Sequence, residues 1–207
     1  MQDYFLPLFP NDHYHIFNRA VGSDLLFLED KDYRYFISRV KKYLLPVADF
    51  YCYNLLPNHF HFFARIKEEI ELEKAYKNLH PGRTTQFSFG ILPDFVLQQF
   101  SNCFNAYTKK FNAWYNRKGR LFMESVRRIP VEDDSYFTQI IHYIHANAVQ
   151  HGICETIEEW KHSSYHALVS DRPTLLKREE ILDWFGGLER FIQFHQQPIY
   201  LKLKEDF

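Results

Sequence analysis

With 207 residues the chain can build one domain with a real core, and 46% hydrophobic against 25% charged residues excludes a disordered polymer. Lys+Arg 25 and Asp+Glu 26 leave a net charge of -1, so attraction of nucleic acid to the whole surface is excluded and any such contact has to be a local basic patch. An aromatic share of 18% supplies both an aromatic core and rings that can stack on bases.

The first predicted element is a strand over His13–Arg19, HYHIFNR, followed by a turn at Val21-Gly22-Ser23. Asp30 or Asp32 then caps a helix with Tyr33, Phe36, Ile37, Val40 and Leu44 at helical spacing, which Pro46 stops. From Phe50 to Ile66 the chain reads as two strands, or one strand broken at Leu56-Pro57-Asn58, because proline cannot donate to a central ladder. A short charged helix and the loop HPGRTTQFSFGILPD precede a second long helix from Asp94 to about Asn116, with Phe95, Leu97, Phe100, Phe104, Tyr107 and Phe111 as its buried side. A turn at Lys118-Gly119 leads to a short strand in RLFMESVRRIPV. Asp133, Asp134 and Ser135 are N-cap material for a third helix ending near Gln150, before Gly152. A short aromatic segment, Trp160 to Leu168, and one or two helices over Arg178–Gln197, interrupted at Gly186-Gly187, complete the chain. The expected class is α+β, with helices packed on a small antiparallel sheet.

Cys52, Cys103 and Cys154 are widely spaced and form no CxxC pair, which fits reduced thiols in a cytoplasm. The start, MQDYFLPLFPNDHYHIF, lacks the pattern of a secretory leader, and no stretch approaches a membrane span. The expectation is a cytoplasmic protein without a membrane partner.

Along HFHFFARI, alternate side chains point to opposite faces of a strand. Phe60, Phe62, Ala64 and Ile66 make a wholly apolar face, leaving His59, His61, Phe63 and Arg65 on the other. Two imidazoles at i and i+2 can chelate a divalent ion if a third ligand arrives from elsewhere; the competing reading is two histidines hydrogen-bonded on a half-exposed face. The same spacing recurs at His13 and His15, which rank lower for want of an apolar alternate face. His142 with His145, and His162 with His166, read as surface or core histidines. In the third helix Phe137, Ile140, Ile141, Ile144 and Ala148 form the core stripe, with Tyr143 and Asn147 one turn apart on its flank. A tyrosine can attack phosphorus and an asparagine oxygen is an acceptable hard ligand; a rim tyrosine with a hydrogen-bonded tip is the plainer alternative. Lys109, Lys110, Arg117, Lys118, Arg120, Arg127 and Arg128, interleaved with Phe111, Trp114, Tyr115 and Phe122, make a basic aromatic stretch suited to a phosphate backbone, or a solvated charged face.

Taken together, HYHIFNRAVGSDLLF, LLPNHFHFF, FNAYTKKFNAWYNRKGRLFMESVRR, YFTQIIHYIHANAVQHGI and EEWKHSSYHAL resemble, in that order, the single-tyrosine HUH transposases, in their REP-associated tyrosine transposase branch. The resemblance covers most of residues 13 to 168. It implies a ferredoxin-like antiparallel sheet with packed helices over residues 1–170, followed by a C-terminal helical extension over 171–207. It implies that His59 and His61 hold Mg²⁺ or Mn²⁺ with Asn147 as third ligand, and that Tyr143 is the nucleophile. It further implies cutting of single-stranded DNA beside a hairpin through a 5′-phosphotyrosine link, by a monomer or homodimer. On this basis His15 and Arg19 join the basic stretch as expected DNA contacts. A domesticated protein that grips hairpin DNA without cutting it is the alternative. The chain departs from the family pattern at Ala148, where proline is usual, so its helix is expected to continue past Asn147.

Overall fold

The computed structural model describes residues 4–82, 91–123, 125–133 and 136–198. Its elements in order are β1 (His13–Arg19), α1 (Asp30–Tyr43), β2 (Ala48–Leu55), β3 (His59–Ile66), α2 (Glu69–Leu79), α3 (Ile91–Trp114), β4 (Arg127–Pro130) and α4 (Phe137–Gln150). A 3-10 turn at Ile157–Glu159, α5 (Tyr165–Val169), α6 (Arg178–Phe185) and α7 (Leu188–His195) follow. Asp134 and Ser135, Glu124, residues 83–90 of the predicted loop and residues 199–207 of the predicted extension lie outside the described residues.

The sheet is antiparallel throughout, in the order β2-β3-β1-β4, which is the ferredoxin-like arrangement. Pro57 falls between β2 and β3 rather than inside a ladder, and its carbonyl accepts the N–H groups of Leu26 and Phe27 at 2.7 and 3.0 Å. The helix α1 is entered through Glu29, one residue before the predicted caps. Asp32 instead serves from inside the first turn, its carboxylate accepting the N–H groups of Leu28 and Glu29 at 2.8 and 2.9 Å.

Both faces of the sheet are covered, by different helices. Phe60, Phe62, Ala64 and Ile66 face α1 and α3 in one core with Phe36, Val40, Phe100, Phe104 and Tyr107. Tyr51, Cys52 and Phe63 face the other way into a second core, shared with Phe137, Ile140, Ile141 and Ile144 of α4 and with Ile181, Phe185 and Phe191 of α6 and α7. The sequence predicts a single buried stripe on α4, but every residue from Ile140 to Ala148 is buried. The reason is that α4 is sandwiched: the sheet takes one side, and α6 and α7 take much of the other. Gly186, at φ +76°, closes α6 in the left-handed conformation that a β-carbon disfavours, and lets α7 fold back against the same helix.

Candidate metal and nucleophile site

The alternation along β3 puts His59 and His61 on the face that α4 covers, and the rings meet edge to face with centroids 5.0 Å apart. From α4, Asn147 brings its amide oxygen to 3.4 Å from His59 Nε2. One turn earlier, Tyr143 sets its ring edge-on to His61, at 6.2 Å between centroids. Thus four residues from two elements far apart in sequence converge on one spot. Asn54 of β2 helps fix that convergence, because its amide nitrogen donates to the carbonyls of Ile144 and His145 at 2.8 and 3.2 Å, in the turn between Tyr143 and Asn147. The helix runs unbroken through Ala148.

The spot is dry. His61 is 0% exposed, Asn147 1%, and His59 and Tyr143 4% each. Burial is the first cause that holds His59 at about 4, below the ordinary imidazole value; the nearby His151 and Arg19 lower it further, while the bond to Asn147 works the other way. His61 is held well below its ordinary value by burial and then by His59, His15 and His151 around it. Both rings are therefore neutral at physiological pH, the state in which imidazole ligates a cation.

Proton placement shows whether a cation fits. His59 Nδ1 lies 2.7 Å from Asn58 Oδ1, an oxygen that only accepts, so the ring proton sits on Nδ1 and Nε2 carries a lone pair. That lone pair faces Asn147 Oδ1, another acceptor, while Asn147 Nδ2 is buried without a hydrogen-bond partner. At 3.4 Å apart, His59 Nε2 and Asn147 Oδ1 are close enough to share one small cation between them. Among the described residues no group of three or more His, Cys, Asp or Glu is placed to hold a metal; beside the two imidazoles stands the amide oxygen of Asn147.

The other predicted contacts separate into several groups. His15 is 0% exposed and turned to His61, their Nε2 and Nδ1 atoms 3.0 Å apart, so it has no surface to offer DNA. Arg128 is also buried, donating to the carbonyls of Phe5 and Val126 at 2.6 and 2.9 Å and to that of Leu6. Arg117 pairs with Asp24, and Arg127 lies over the Tyr4 ring at 5.5 Å. Lys109, Lys110, Lys118 and Arg120 are exposed. The loop that carries Lys118 and Arg120 runs on to the end of β1 beside the site: Leu121 and Met123 pair by backbone with Val21 and Arg19, and Arg19 stands opposite His59 in the ladder. Arg19 is half-buried there.

His151 was missed from sequence. It caps α4, is exposed, and sets its ring 4.8 Å from that of His59. The signal was available, since Tyr143, Asn147 and His151 recur every four residues on one helical flank. His145 belongs to a different network behind the site: its Nδ1 is 2.8 Å from His195 Nε2 and its Nε2 is 2.7 Å from Ser164 Oγ. Among the described residues no helix is long and apolar enough to cross a membrane.

No family model and no curated protein matches the chain. Among solved structures, one described as a REP-associated tyrosine transposase bound to a REP hairpin aligns with a TM-score of 0.55 at 15% identity, covering 84% of this chain and 89% of that one. At this identity the likeness is one of fold.

Proposed function

We propose that this chain is a metal-dependent endonuclease and transposase that cuts and rejoins single-stranded DNA near hairpins. The observation that carries the reading is the convergence of His59, His61 and Asn147 with Tyr143 at one buried spot. The hairpin bound in the neighbour of like fold supports DNA of that kind as the substrate. In this reading His59, His61 and Asn147 hold Mg²⁺ or Mn²⁺, and the ion, when bound, polarises an oxygen of the scissile phosphate. Tyr143 attacks phosphorus: the bond from its oxygen to phosphorus forms, the bond to the 3′-oxygen breaks, and that oxygen takes up a proton. The 5′-phosphate stays on the tyrosine, so rejoining needs no ATP. A free phenol has a pKa near 10, so Tyr143 has to lose its proton on the way to this bond. In this reading Arg19, with Lys118 and Arg120 on the adjoining loop, holds the flanking backbone.

The test is incubation with Mn²⁺ and labelled hairpin DNA carrying a single-stranded flank. A denaturant-resistant adduct is expected, absent in Tyr143→Phe; an adduct that survives in Tyr143→Phe overturns the nucleophile. One observation favours a second reading, a silent hairpin binder: Tyr143 is only 4% exposed. Tight hairpin binding without nicking across several divalent metals and flank sequences would decide for it.

A further inference from the structure

His15 lies 0% exposed against His61, and the sheet explains why the two meet. In the β1–β3 ladder Phe17 stands opposite His61 and His15 opposite Phe63, so His15 and His61 are diagonal neighbours on one face. Their rings are 20° from parallel with centroids 5.2 Å apart, and the ring of Phe17 stacks on His15 at 4.9 Å. The contact is specific in its atoms: His15 Nε2 and His61 Nδ1 are 3.0 Å apart. An imidazole is an expensive occupant of a dry slot beside Phe17 and Tyr143, and burial drives the His15 pKa to about 3. A leucine or phenylalanine would fill the volume without that cost, so the side chain is accounted for by its bond to His61.

With both rings neutral, one proton lies between the two nitrogens, and its owner decides what His61 can do. If His15 donates, the His61 proton sits on Nε2 and that nitrogen cannot ligate. If His61 donates from Nδ1, its Nε2 carries a lone pair, matching the state that Asn58 imposes on His59 through the 2.7 Å contact to Nδ1. We infer that His15 is a positioning residue of the metal site: it accepts the Nδ1 proton of His61 and thereby fixes that ring, in orientation and tautomer, with Nε2 presented as a ligand. Metal-bound histidines commonly carry such a partner on the second nitrogen. The inference rests on the metal reading above, which selects between the two proton placements that the 3.0 Å contact allows.

The experiment has two arms. Long-range ¹H–¹⁵N spectra of the histidine rings in the metal-free parent at neutral pH read the tautomer directly. His61 as the Nδ1–H form is expected, and the Nε2–H form overturns the inference with no variant needed. In the second arm, Mn²⁺ affinity is measured by calorimetry for the parent, His15→Phe, which keeps the ring stack without an acceptor, and His15→Gln, which keeps an amide oxygen near the Nε2 position. Affinity is expected to fall about 10- to 100-fold in His15→Phe and to return towards the parent in His15→Gln. Equal affinity in all three overturns the inference while leaving the metal site intact. A parent that binds no Mn²⁺, or binds it unchanged in His61→Ala, overturns the metal reading, and with it the role given to His15.

Discussion

The ring of His195 ties α7 to α4 and should make the protein sensitive to acid. Its Nδ1 lies 2.8 Å from the Phe191 carbonyl, so Nδ1 carries the proton; its Nε2 then accepts from His145 Nδ1 at 2.8 Å, and His145 Nε2 accepts from Ser164 at 2.7 Å. Burial is the first cause that depresses His195 from 6.5 to about 3; the bond to Phe191 opposes the shift and the nearby His142 adds to it. The sign follows from linkage. Below the unfolded value of 6.5 the unfolded chain takes up a proton that the folded ring refuses, so stability is full above that value and falls as the pH drops towards 3. Between pH 7 and about pH 4.5 one such ring costs about 2.5 kcal/mol, near the limiting slope of about 1.4 kcal/mol per pH unit. The result barely depends on the folded pKa while it stays well below the lower pH. His195→Gln removes the titrating group and keeps an amide near His145. Urea unfolding at a series of pH values should show His195→Gln less stable at neutral pH but flatter, its loss towards acid smaller than the parent's by about 2.5 kcal/mol. Parallel curves for parent and variant would refute the assignment of a buried neutral ring.

Arg128→Met should cost about 2–4 kcal/mol of stability in urea unfolding, because three carbonyls lose a charged donor. A large loss of DNA affinity at unchanged stability would count against that role. Lys118→Ala and Arg120→Ala should do the reverse: stability within about 0.5 kcal/mol, and a slope of log affinity against log salt that falls by about 0.7 for each phosphate no longer neutralised. An unchanged slope in both would remove this loop from the DNA path. Phe62→Ala, emptying a site 1% exposed between the sheet and α1, should cost about 3–5 kcal/mol by the same unfolding assay; a cost below about 1 kcal/mol would mean that the core collapses into the space.

What was legible in sequence followed from local periodicity. The alternation along β3 sorts Phe60 and Phe62 from His59 and His61 without reference to any other element, and the breaks at Pro57 and Gly186-Gly187 fall where the chain turns. What stayed hidden depends on partners distant in sequence. A basic run reads alike whether its members are solvated or buried, and only the segment Tyr4–Leu6, lying alongside β4, turns Arg128 inward. His15 reads as one half of a weak HxH pair until the β1–β3 register sets it diagonally beside His61. The all-round burial of α4 needs α6 and α7, which no pattern within α4 announces. His151 is the exception, since its four-residue spacing from Asn147 is a local pattern within one helix.

One unbroken helix carries Tyr143 and Asn147 at successive turns and is capped by His151 one turn further on, with no hinge between them. Inserting or deleting a single residue between Tyr143 and Asn147 would swing everything beyond it by about 100° around the helix axis. Nucleophile and ligand would then look in different directions, and no side-chain adjustment could restore both. The stretch Asp171–Pro173 between α5 and α6 is exposed and outside any element, so it can lengthen or shorten at little cost. Changes of length in the descendants of this chain should therefore accumulate beside the C-terminal helices and be absent from the turn that joins Tyr143 to Asn147.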